Sequence, residues 1–315
     1  MVHMPLHPAF EKMLQQMKEL GAPPISSLTP EQFRKNSAQS FALLRKPGLP
    51  VAHVEDRIIA VYGNRQTPIR IYTPEGEGPF PALIYIHGGG WVFGELDQFD
   101  NLCRMFTHTA GCVTISVDYG LAPEYKFPHP VEECYAVSQW VFEHADEFKI
   151  RKDKIAIGGD SAGGNLSAVV CQVARDRGGS MPSLQVLLYP SVDLLGETES
   201  KRLNSTGYLL DIDSMMYFRK QYLNSMEDAS HPMASPLLAE DLRHLPPAIV
   251  ITAEYDPLRD EGEAYASALE KAGVPAKVKR FEGMIHGFLT LDHLVPEVRA
   301  QMQEVAEMLK TEFTD

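Results

Sequence analysis

The sequence has little cysteine and no long apolar run. Its 315 residues include four cysteines, with no CxxC pair and no zinc-ligand spacing, so neither a disulfide scaffold nor a structural zinc site is expected. No apolar run approaches the ~18 residues that a membrane-spanning helix needs, and no basic segment followed by an apolar one indicates a signal peptide. The sequence therefore predicts a soluble, cytoplasmic protein. We expect the cysteines to be buried as small hydrophobic side chains: Cys103, Cys112, Cys134 and Cys171.

Basic residues are outnumbered as well. Lys and Arg total 29 against 42 Asp and Glu, which gives a net charge of −13, and no stripe of basic residues interrupts the acidic surface. Such a surface repels phosphate backbones and anionic lipids. We therefore expect no nucleic-acid or membrane partner, and a neutral rather than an anionic small-molecule substrate.

Short β-rich runs alternate with helical patterns from about residue 48 onward. Several of these runs are continuously apolar, as in Ala82-Leu83-Ile84-Tyr85-Ile86, which is typical of central strands buried on both faces. The alternation predicts an α/β fold with a mostly parallel, eight-stranded sheet flanked by helices. Strands are predicted at 57–62, 69–73, 82–86, 113–118, 154–158, 184–189, 248–253 and 277–281, and helices near 97–110, 130–147, 163–177, 260–272 and 294–312.

Two segments, residues 1–50 and 195–235, break this alternation. The first carries an apolar repeat of 3–4 residues and then Thr29-Pro30-Glu31-Gln32, a capping box that predicts a helix start. The second has a helical pattern over residues 213–223. We interpret the two segments as a helical cap over the carboxyl edge of the sheet. The predicted organisation is cap at 1–50, core at 51–194, cap again at 195–235 and core again at 236–315.

The strongest chemical signal is Gly159-Asp160-Ser161-Ala162-Gly163, which follows one predicted strand and begins a predicted helix. A serine at such a sharp turn has strained backbone angles, so its neighbours must be small. The turn exposes the Ser161 hydroxyl above the sheet, at the positive end of a helix. An ordinary glycine-rich turn is the alternative, but the strand–turn–helix context favours a nucleophile.

A second signal is His87-Gly88-Gly89-Gly90-Trp91, directly after the strand at 82–86. Residues without side chains let backbone N–H groups approach a reacting oxygen, where losing one donor costs ~3 kcal/mol. We assign an oxyanion hole to the N–H of Ala162 and two of Gly88, Gly89 and Gly90, with Gly89 and Gly90 favoured. His87 is predicted to brace this loop rather than to act as a base.

A nucleophilic serine needs a base, and the base needs an orienting acid. In this architecture both follow the serine in the chain, at strand ends. Asp256 follows the strand at 248–253, and His286 lies in a glycine-flanked loop after the strand at 277–281. Ser161, Asp256 and His286 are therefore the predicted triad, which needs neither a cofactor nor a metal. The rival residues fit strand ends less well: Glu254, Asp260, His231, His244 and His293.

These motifs resemble the bacterial hormone-sensitive lipase family, the family IV esterases of the α/β-hydrolase fold. The resemblance rests on HGGGW at 87–91, DYGLAPEYKFP at 118–128, GDSAGGN at 159–165, DPLRDEG at 256–262 and HGF at 286–288, and it covers essentially the whole chain. It implies carboxylesterase activity on short- to medium-chain acyl esters, a two-part cap above the acyl pocket, and often a homodimer formed at the sheet edge. One stretch departs from the family: Gly120 stands where relatives usually have Arg, and Tyr125 where they commonly have His.

The substrate pocket is expected to have an apolar lining. Trp91 and Phe93 are predicted to shape its alcohol side. Two other functions stay open: a different hydrolase on the same scaffold, such as an amidase or a lactone or carbamate hydrolase, and a catalytically silent binding protein. The silent protein should lack a triad residue or an oxyanion glycine, and all are present in the sequence. Acyl-side lining is predicted from residues of the cap: Phe10, Met13, Phe33, Phe41, Met215, Met216, Phe218 and Tyr222.

Overall fold

One eight-stranded sheet organises the computed structural model, which describes residues 5–21, 23–44 and 46–314. The spatial order is β1-β2-β4-β3-β5-β6-β7-β8. β2 runs antiparallel to β1 and β4, and the other neighbouring strands run parallel. The strands are β1 (His53–Tyr62), β2 (Arg65–Thr73), β3 (Phe80–Ile86), β4 (Val113–Val117), β5 (Ile150–Asp160), β6 (Leu184–Leu188), β7 (Ala248–Tyr255) and β8 (Ala276–Ile285).

All eight predicted strands are therefore confirmed, with shifts at their ends. One of these shifts concerns β8, which extends to Ile285, beyond the predicted end at residue 281. Its register with β7 slips between Ala253 and Tyr255, after which Ile285 pairs with Tyr255. Gly283 has φ +72°, a left-handed conformation that glycine adopts readily in bulges. The bulge thus lets β8 continue through a sequence that looks like a loop.

The sheet separates two apolar cores, as expected for strands buried on both faces. Every residue of β4 and β6 is buried. Along β3, Ile84 packs into one core and Tyr85 into the other, because successive side chains of a strand point to opposite faces. The four cysteines are buried and free, as predicted. Each of the five helices predicted around the sheet is present, and none of the helices in the described ranges is long and apolar enough to cross a membrane.

Helices cover both faces of the sheet. α4, α5 and α8 bury their apolar sides in the same core as Ile84, whereas α3 and α9 bury theirs in the core of Tyr85. Gly111, at φ +65°, forms the left-handed C-cap of α3, a position at which glycine is common. The helices are α1 (Pro8–Glu19), α2 (Pro30–Leu44), α3 (Asp100–Ala110), α4 (His129–Glu143), α5 (Ala162–Arg177), α6 (Glu199–Leu203), α7 (Ile212–Tyr222), α8 (Arg259–Lys271) and α9 (Arg299–Thr314).

The segments predicted as a cap contain α1 and α2, and then α6 and α7. At the start of α2 the Gln32 N–H donates to the Thr29 hydroxyl at 3.2 Å, and the Thr29 N–H donates to the Gln32 side chain at 3.0 Å. The predicted capping box is thus confirmed. The division of the chain into cap and core at residues 50, 194 and 235 stays a prediction.

The stretch that departs from the family is well packed. A Cβ at Gly120 would lie 2.7 Å from the ring of Tyr125, so the tyrosine occupies the space of a larger residue. The Gly120 N–H donates to the buried carboxylate of Glu133 at 2.7 Å. That carboxylate also pairs with Arg65 of β2. The cation that balances Glu133 is thus supplied by a neighbouring strand, and Gly120 leaves no gap.

Candidate active site

Ser161 lies at the turn from β5 to α5, with φ 54° and ψ −114°. Such a conformation is rare for a residue with a side chain and marks stored strain. Its N–H donates to the Leu188 carbonyl oxygen at 2.8 Å, which helps to hold the turn. A Cβ at Gly159 would lie 2.0 Å from the carbonyl oxygen of Ile86, and one at Gly163 would lie 1.9 Å from the same atom. Only glycine fits at these two positions, as the motif indicates.

Three side chains from separate elements meet at this turn. His286 follows β8, and its Nε2 lies 2.9 Å from Ser161 Oγ. Its Nδ1 lies 2.8 Å from Oδ2 of Asp256, which follows β7 and is fully buried. A carboxylate beside Nδ1 favours the tautomer with the proton there, so the lone pair of Nε2 faces the serine hydroxyl. The structure brings the three predicted triad residues into one hydrogen-bonded chain.

The rival residues have other partners or positions. The Glu254 carboxylate accepts the Gly283 N–H at 2.7 Å, and the Asp260 carboxylate accepts the Ser200 N–H at 2.7 Å. By contrast, the second oxygen of Asp256 accepts the Leu258 N–H at 2.7 Å. Both oxygens of Asp256 are therefore used, one by the imidazole and one by its own turn. Within the described residues His231 and His244 lie outside the cavity wall, whereas His293 belongs to it.

Hydrogen bonding divides the glycine run between two roles. The Gly88 N–H donates to Asp160 Oδ1 at 2.8 Å, so it is not available to a reacting oxygen. Across the described part of the chain, no acceptor is hydrogen-bonded to the N–H groups of Gly89, Gly90 or Ala162, and all three residues belong to the cavity wall. The donors that sequence reasoning favours are thus free for a ligand, whereas Gly88 is a wrong assignment because a carboxylate 72 residues away occupies its N–H.

His87 braces the glycine loop from below, as predicted. It is fully buried, and its Nδ1 donates to the Gly88 carbonyl oxygen at 2.7 Å. Its ring stacks on Tyr119 and Phe99, with centroid distances of 4.4 and 5.1 Å. Burial lowers the pKa of His87 to about 4, so the ring is neutral at pH 7. Because this imidazole is buried, neutral and away from the cavity, His87 supports the glycine loop rather than acting as a base.

Asp160 is a second support, and sequence reasoning missed it. Its Oδ1 accepts the Tyr85 hydroxyl at 2.6 Å as well as the Gly88 N–H. Burial raises the pKa of Asp160 to about 6, although these two hydrogen bonds act in the opposite direction. Asp160 thereby connects the glycine loop to the turn that carries Ser161. The motif contains the residue, but nothing in the local sequence indicates its distant partners.

Above Ser161 and His286 lies a cavity of about 1050 Å³. Its wall includes six of the residues that the sequence predicts to contact the substrate, namely Phe33, Phe41, Trp91, Phe93, Met215 and Phe218. Four other predictions for the lining are wrong. Phe10 and Met13 pack into the core that contains α9, Met216 is 60% exposed, and Tyr222 is buried beneath Trp91 at a ring distance of 4.4 Å.

Arg34 of α2 connects the cap segment to the glycine loop, and sequence reasoning missed this residue as well. Its guanidinium donates to the carbonyl oxygens of Val92 and Ala122, both at 2.6 Å. It also makes a two-pronged pair with Glu124 at 2.7 and 2.8 Å. Val92 is two residues from Gly90, so Arg34 anchors α2 beside the proposed oxyanion donors.

Comparisons with known proteins agree with this geometry. Residues 83–290 match a protein family whose description is "alpha/beta hydrolase fold". Over 275 residues the chain is 44% identical to the carboxylic ester hydrolase LipN of Mycobacterium tuberculosis, which covers 85% of this chain and 73% of that protein. Over 289 residues it is 41% identical to an arylesterase of Saccharolobus solfataricus, covering 91% and 93%. An ester hydrolase from the metagenome of Lake Arreo, 36% identical, superposes with a TM-score of 0.94 and covers 98% of this chain and 100% of that one.

The chain belongs to the α/β-hydrolase fold family, among the esterases that resemble hormone-sensitive lipase. It is a carboxylic ester hydrolase. The predictions of fold class, family and enzyme class are therefore confirmed.

Proposed function

We propose that the protein is a serine carboxylesterase that cleaves short- to medium-chain acyl esters through an acyl-enzyme on Ser161. The observation that carries this proposal is the continuous contact from Ser161 Oγ to His286 Nε2, and from His286 Nδ1 to Asp256 Oδ2, at 2.9 and 2.8 Å. Hydrogen-bonding distances between nucleophile, base and orienting acid are what nucleophilic catalysis requires.

Acylation begins when Ser161 Oγ attacks the ester carbonyl carbon and its proton passes to His286 Nε2. The carbonyl oxygen becomes an oxyanion, which the N–H groups of Gly89, Gly90 and Ala162 stabilise. His286 then gives the proton to the leaving alcohol as the carbon–oxygen bond to that alcohol breaks. The Asp256 carboxylate stabilises the imidazolium that exists between the two proton transfers.

Deacylation repeats these steps with water as the nucleophile. His286 takes a proton from the water, whose oxygen attacks the acyl carbon. The second tetrahedral intermediate collapses when the imidazolium protonates Ser161 Oγ, which frees the carboxylic acid. The residues in contact supply each proton transfer, so the proposed cycle uses neither a cofactor nor a metal ion.

The cavity supports a neutral, mainly apolar substrate. Phe33 lies 4.6 Å from Phe93 and 6.4 Å from Phe218 between ring centroids, so aromatic rings surround the space next to Gly90. An apolar wall with a few convergent polar groups is usual for small-molecule sites, and the net charge of −13 disfavours anionic esters. A cytoplasmic location and a homodimer formed at the sheet edge remain predictions.

The test is hydrolysis of p-nitrophenyl esters from C2 to C16 by the wild type, Ser161→Ala and Ser138→Ala. Ser138 is a buried serine of α4 outside the cavity wall, so its variant controls for the loss of a buried hydroxyl. We expect activity that peaks at C4–C8 and is lost in Ser161→Ala alone. Equal rates on C4 and C16 esters would contradict the restricted acyl pocket, and a preference for p-nitroanilides would indicate an amidase.

A further inference from the structure

The short helix α6 and its C-cap residue, Asn204, carry three buried polar side chains. Ser200, Lys201 and Asn204 are 0%, 3% and 5% exposed, although the helix lies in a segment predicted to cover the sheet. Burying such groups costs free energy unless each finds a hydrogen-bond partner. The identity of their partners therefore indicates what the helix holds in place.

Two of these side chains bind the turn that carries Asp256. Asn204 Nδ2 donates to the carbonyl oxygen of Asp256 at 3.2 Å and to that of Glu254 at 3.4 Å. Ser200 Oγ donates to the carbonyl oxygen of Pro257 at 2.8 Å and accepts the Asp260 N–H at 3.1 Å. Residues 254–260, the acid turn, are thus held by hydrogen bonds from α6 and its C-cap to their main chain, at the point where β7 ends.

The third side chain anchors α6 to α8. Lys201 Nζ lies 2.6 Å from Glu261 Oε2, and both side chains are at most 3% exposed. Nζ also donates to the carbonyl oxygens of Asp193 and Gly196, at 3.0 and 2.6 Å. The other carboxylate oxygen of Glu261 accepts the Val192 N–H at 2.8 Å. Separating a buried ion pair leaves an uncompensated buried charge, so this pair opposes any movement of α6 relative to α8.

The same stretch of chain continues into the cavity wall. Gly207, Leu209 and Leu210 follow α6 directly and belong to that wall. Asn204 does not belong to it among the described residues. The contacts of Asn204 and Ser200 therefore reach the triad through the main chain of the acid turn, without touching the space for the substrate.

We propose that α6 braces the catalytic acid, and that Asn204 is a positioning residue for the Asp256–His286 pair. This proposal rests on the proposed function, in which Asp256 orients His286. Without the Asn204 amide, the carbonyl oxygens of Glu254 and Asp256 each lose one of their donors, and the turn loosens. The Asp256 carboxylate then holds the imidazole less well, so kcat falls while substrate binding is unchanged.

The test compares Asn204→Ala and Asn204→Asp with Gln172→Ala. Gln172 is 4% exposed and donates to the Pro236 carbonyl oxygen at 3.0 Å, so its variant loses a buried amide away from the acid turn. Asn204→Asp keeps the volume but cannot donate to the two carbonyl oxygens. We expect kcat to fall about tenfold to a hundredfold in both Asn204 variants, with KM unchanged, and kcat to be retained in Gln172→Ala.

The pH dependence of kcat/KM is a second measurement, and a simple loss of packing would leave it unchanged. A less firmly held carboxylate stabilises the imidazolium less, so the acid limb of kcat/KM should move to lower pH in the Asn204 variants. Retained kcat and an unmoved acid limb, with only a lower melting temperature, would overturn the proposal. If Asn204→Ala does not fold, Ser200→Ala is judged by the same criteria, because Ser200 Oγ also makes two hydrogen bonds to the acid turn. An inactive wild type, or an active Ser161→Ala, would instead contradict the proposed function.

Discussion

The two sides of the cavity are built in different ways. On the core side, Ser161, Asp256 and His286 stand where β5, β7 and β8 end, so their positions follow from the sheet. On the cap side, Phe33 of α2 and Phe218 of α7 are placed by side-chain contacts with the glycine loop. In the proposed mechanism the core side supplies the chemistry, and we expect the predicted cap to determine how closely a substrate is confined around it.

Adding one methyl group at Gly90 should break the contact between the two sides. A Cβ there would lie 2.3 Å from the ring of Phe218, and the residue has φ +58°. We expect Gly90→Ala to lower kcat/KM about 10²- to 10³-fold, since a proposed oxyanion donor moves. Gly63→Ala is the matched control, because Gly63 has φ +55° and nothing within 4 Å. Similar losses of activity in both variants would refute a specific role for Gly90.

Removing the Phe218 ring, which faces Gly90, tests the same contact from the cap side. Phe218→Ala opens space over Gly90, so in the double variant the new methyl group no longer meets a ring. Residues in contact show non-additive effects, and we expect the double variant to recover about tenfold of the activity lost in Gly90→Ala. Steady-state kinetics on C4 and C8 esters provides the measurement. Strict additivity of the two changes would mean that the contact is unimportant.

Arg34→Met should loosen the cap from the glycine loop. Its guanidinium makes hydrogen bonds to two main-chain carbonyl oxygens and to Glu124, and we expect a loss of about 2–3 kcal/mol in the free energy of unfolding, with a higher KM. Arg243 pairs with Asp241 but is 68% exposed, so Arg243→Met should leave the free energy of unfolding nearly unchanged. Urea unfolding separates the two cases, and equal losses would count against the anchor.

The smallest expected effect concerns Asp160 and pH. Burial raises its pKa from the usual 3.8 to about 6, so the folded protein binds this proton more tightly than the unfolded chain does. Its titration therefore adds stability as the pH falls from 6 toward 4. His87, with a pKa lowered to about 4, removes stability over a similar range. Asp160→Asn lacks the contribution from the Asp160 titration. Between pH 6.5 and 4.5 its free energy of unfolding should therefore fall by about 1–2 kcal/mol more than that of the wild type.

The Asp160→Asn variant also identifies the group behind the acid limb of kcat/KM. If His286 is the base, the fall of kcat/KM toward acid pH should persist in the variant, because the substitution leaves the imidazole in place. Equilibrium unfolding and kinetics at matched pH values test both points. Loss of the acid limb would assign it to Asp160 instead.

The sequence predicts the core side well because the backbone imposes local demands there. The turn at Ser161 admits only small neighbours, and strand ends carry Asp256 and His286, so motif and periodicity suffice. The assignment of Gly88 failed because its N–H is taken by Asp160, a contact that only the folded sheet creates. Local spacing contains no information about a partner 72 residues away.

The cap side was harder because an apolar stripe does not say what it faces. Phe10 and Met13 have the spacing of a buried helix face, yet both pack into the core on the α3 and α9 face of the sheet, whereas Leu6, just before α1, and Leu14 belong to the cavity wall. Asn204 carried no signal at all, since it is an ordinary polar residue whose partners are main-chain carbonyl oxygens. Tertiary contacts decide such cases, and one sequence does not reveal them.

The most direct test of the serine mechanism is covalent labelling with diethyl p-nitrophenyl phosphate, followed by intact-protein and peptide mass spectrometry. We expect one diethylphosphoryl group on the peptide that contains Ser161, in step with the loss of esterase activity, and no label in Ser161→Ala. A label on another residue that accompanies inactivation, or full ester hydrolysis by Ser161→Ala, would contradict an acyl-enzyme on Ser161.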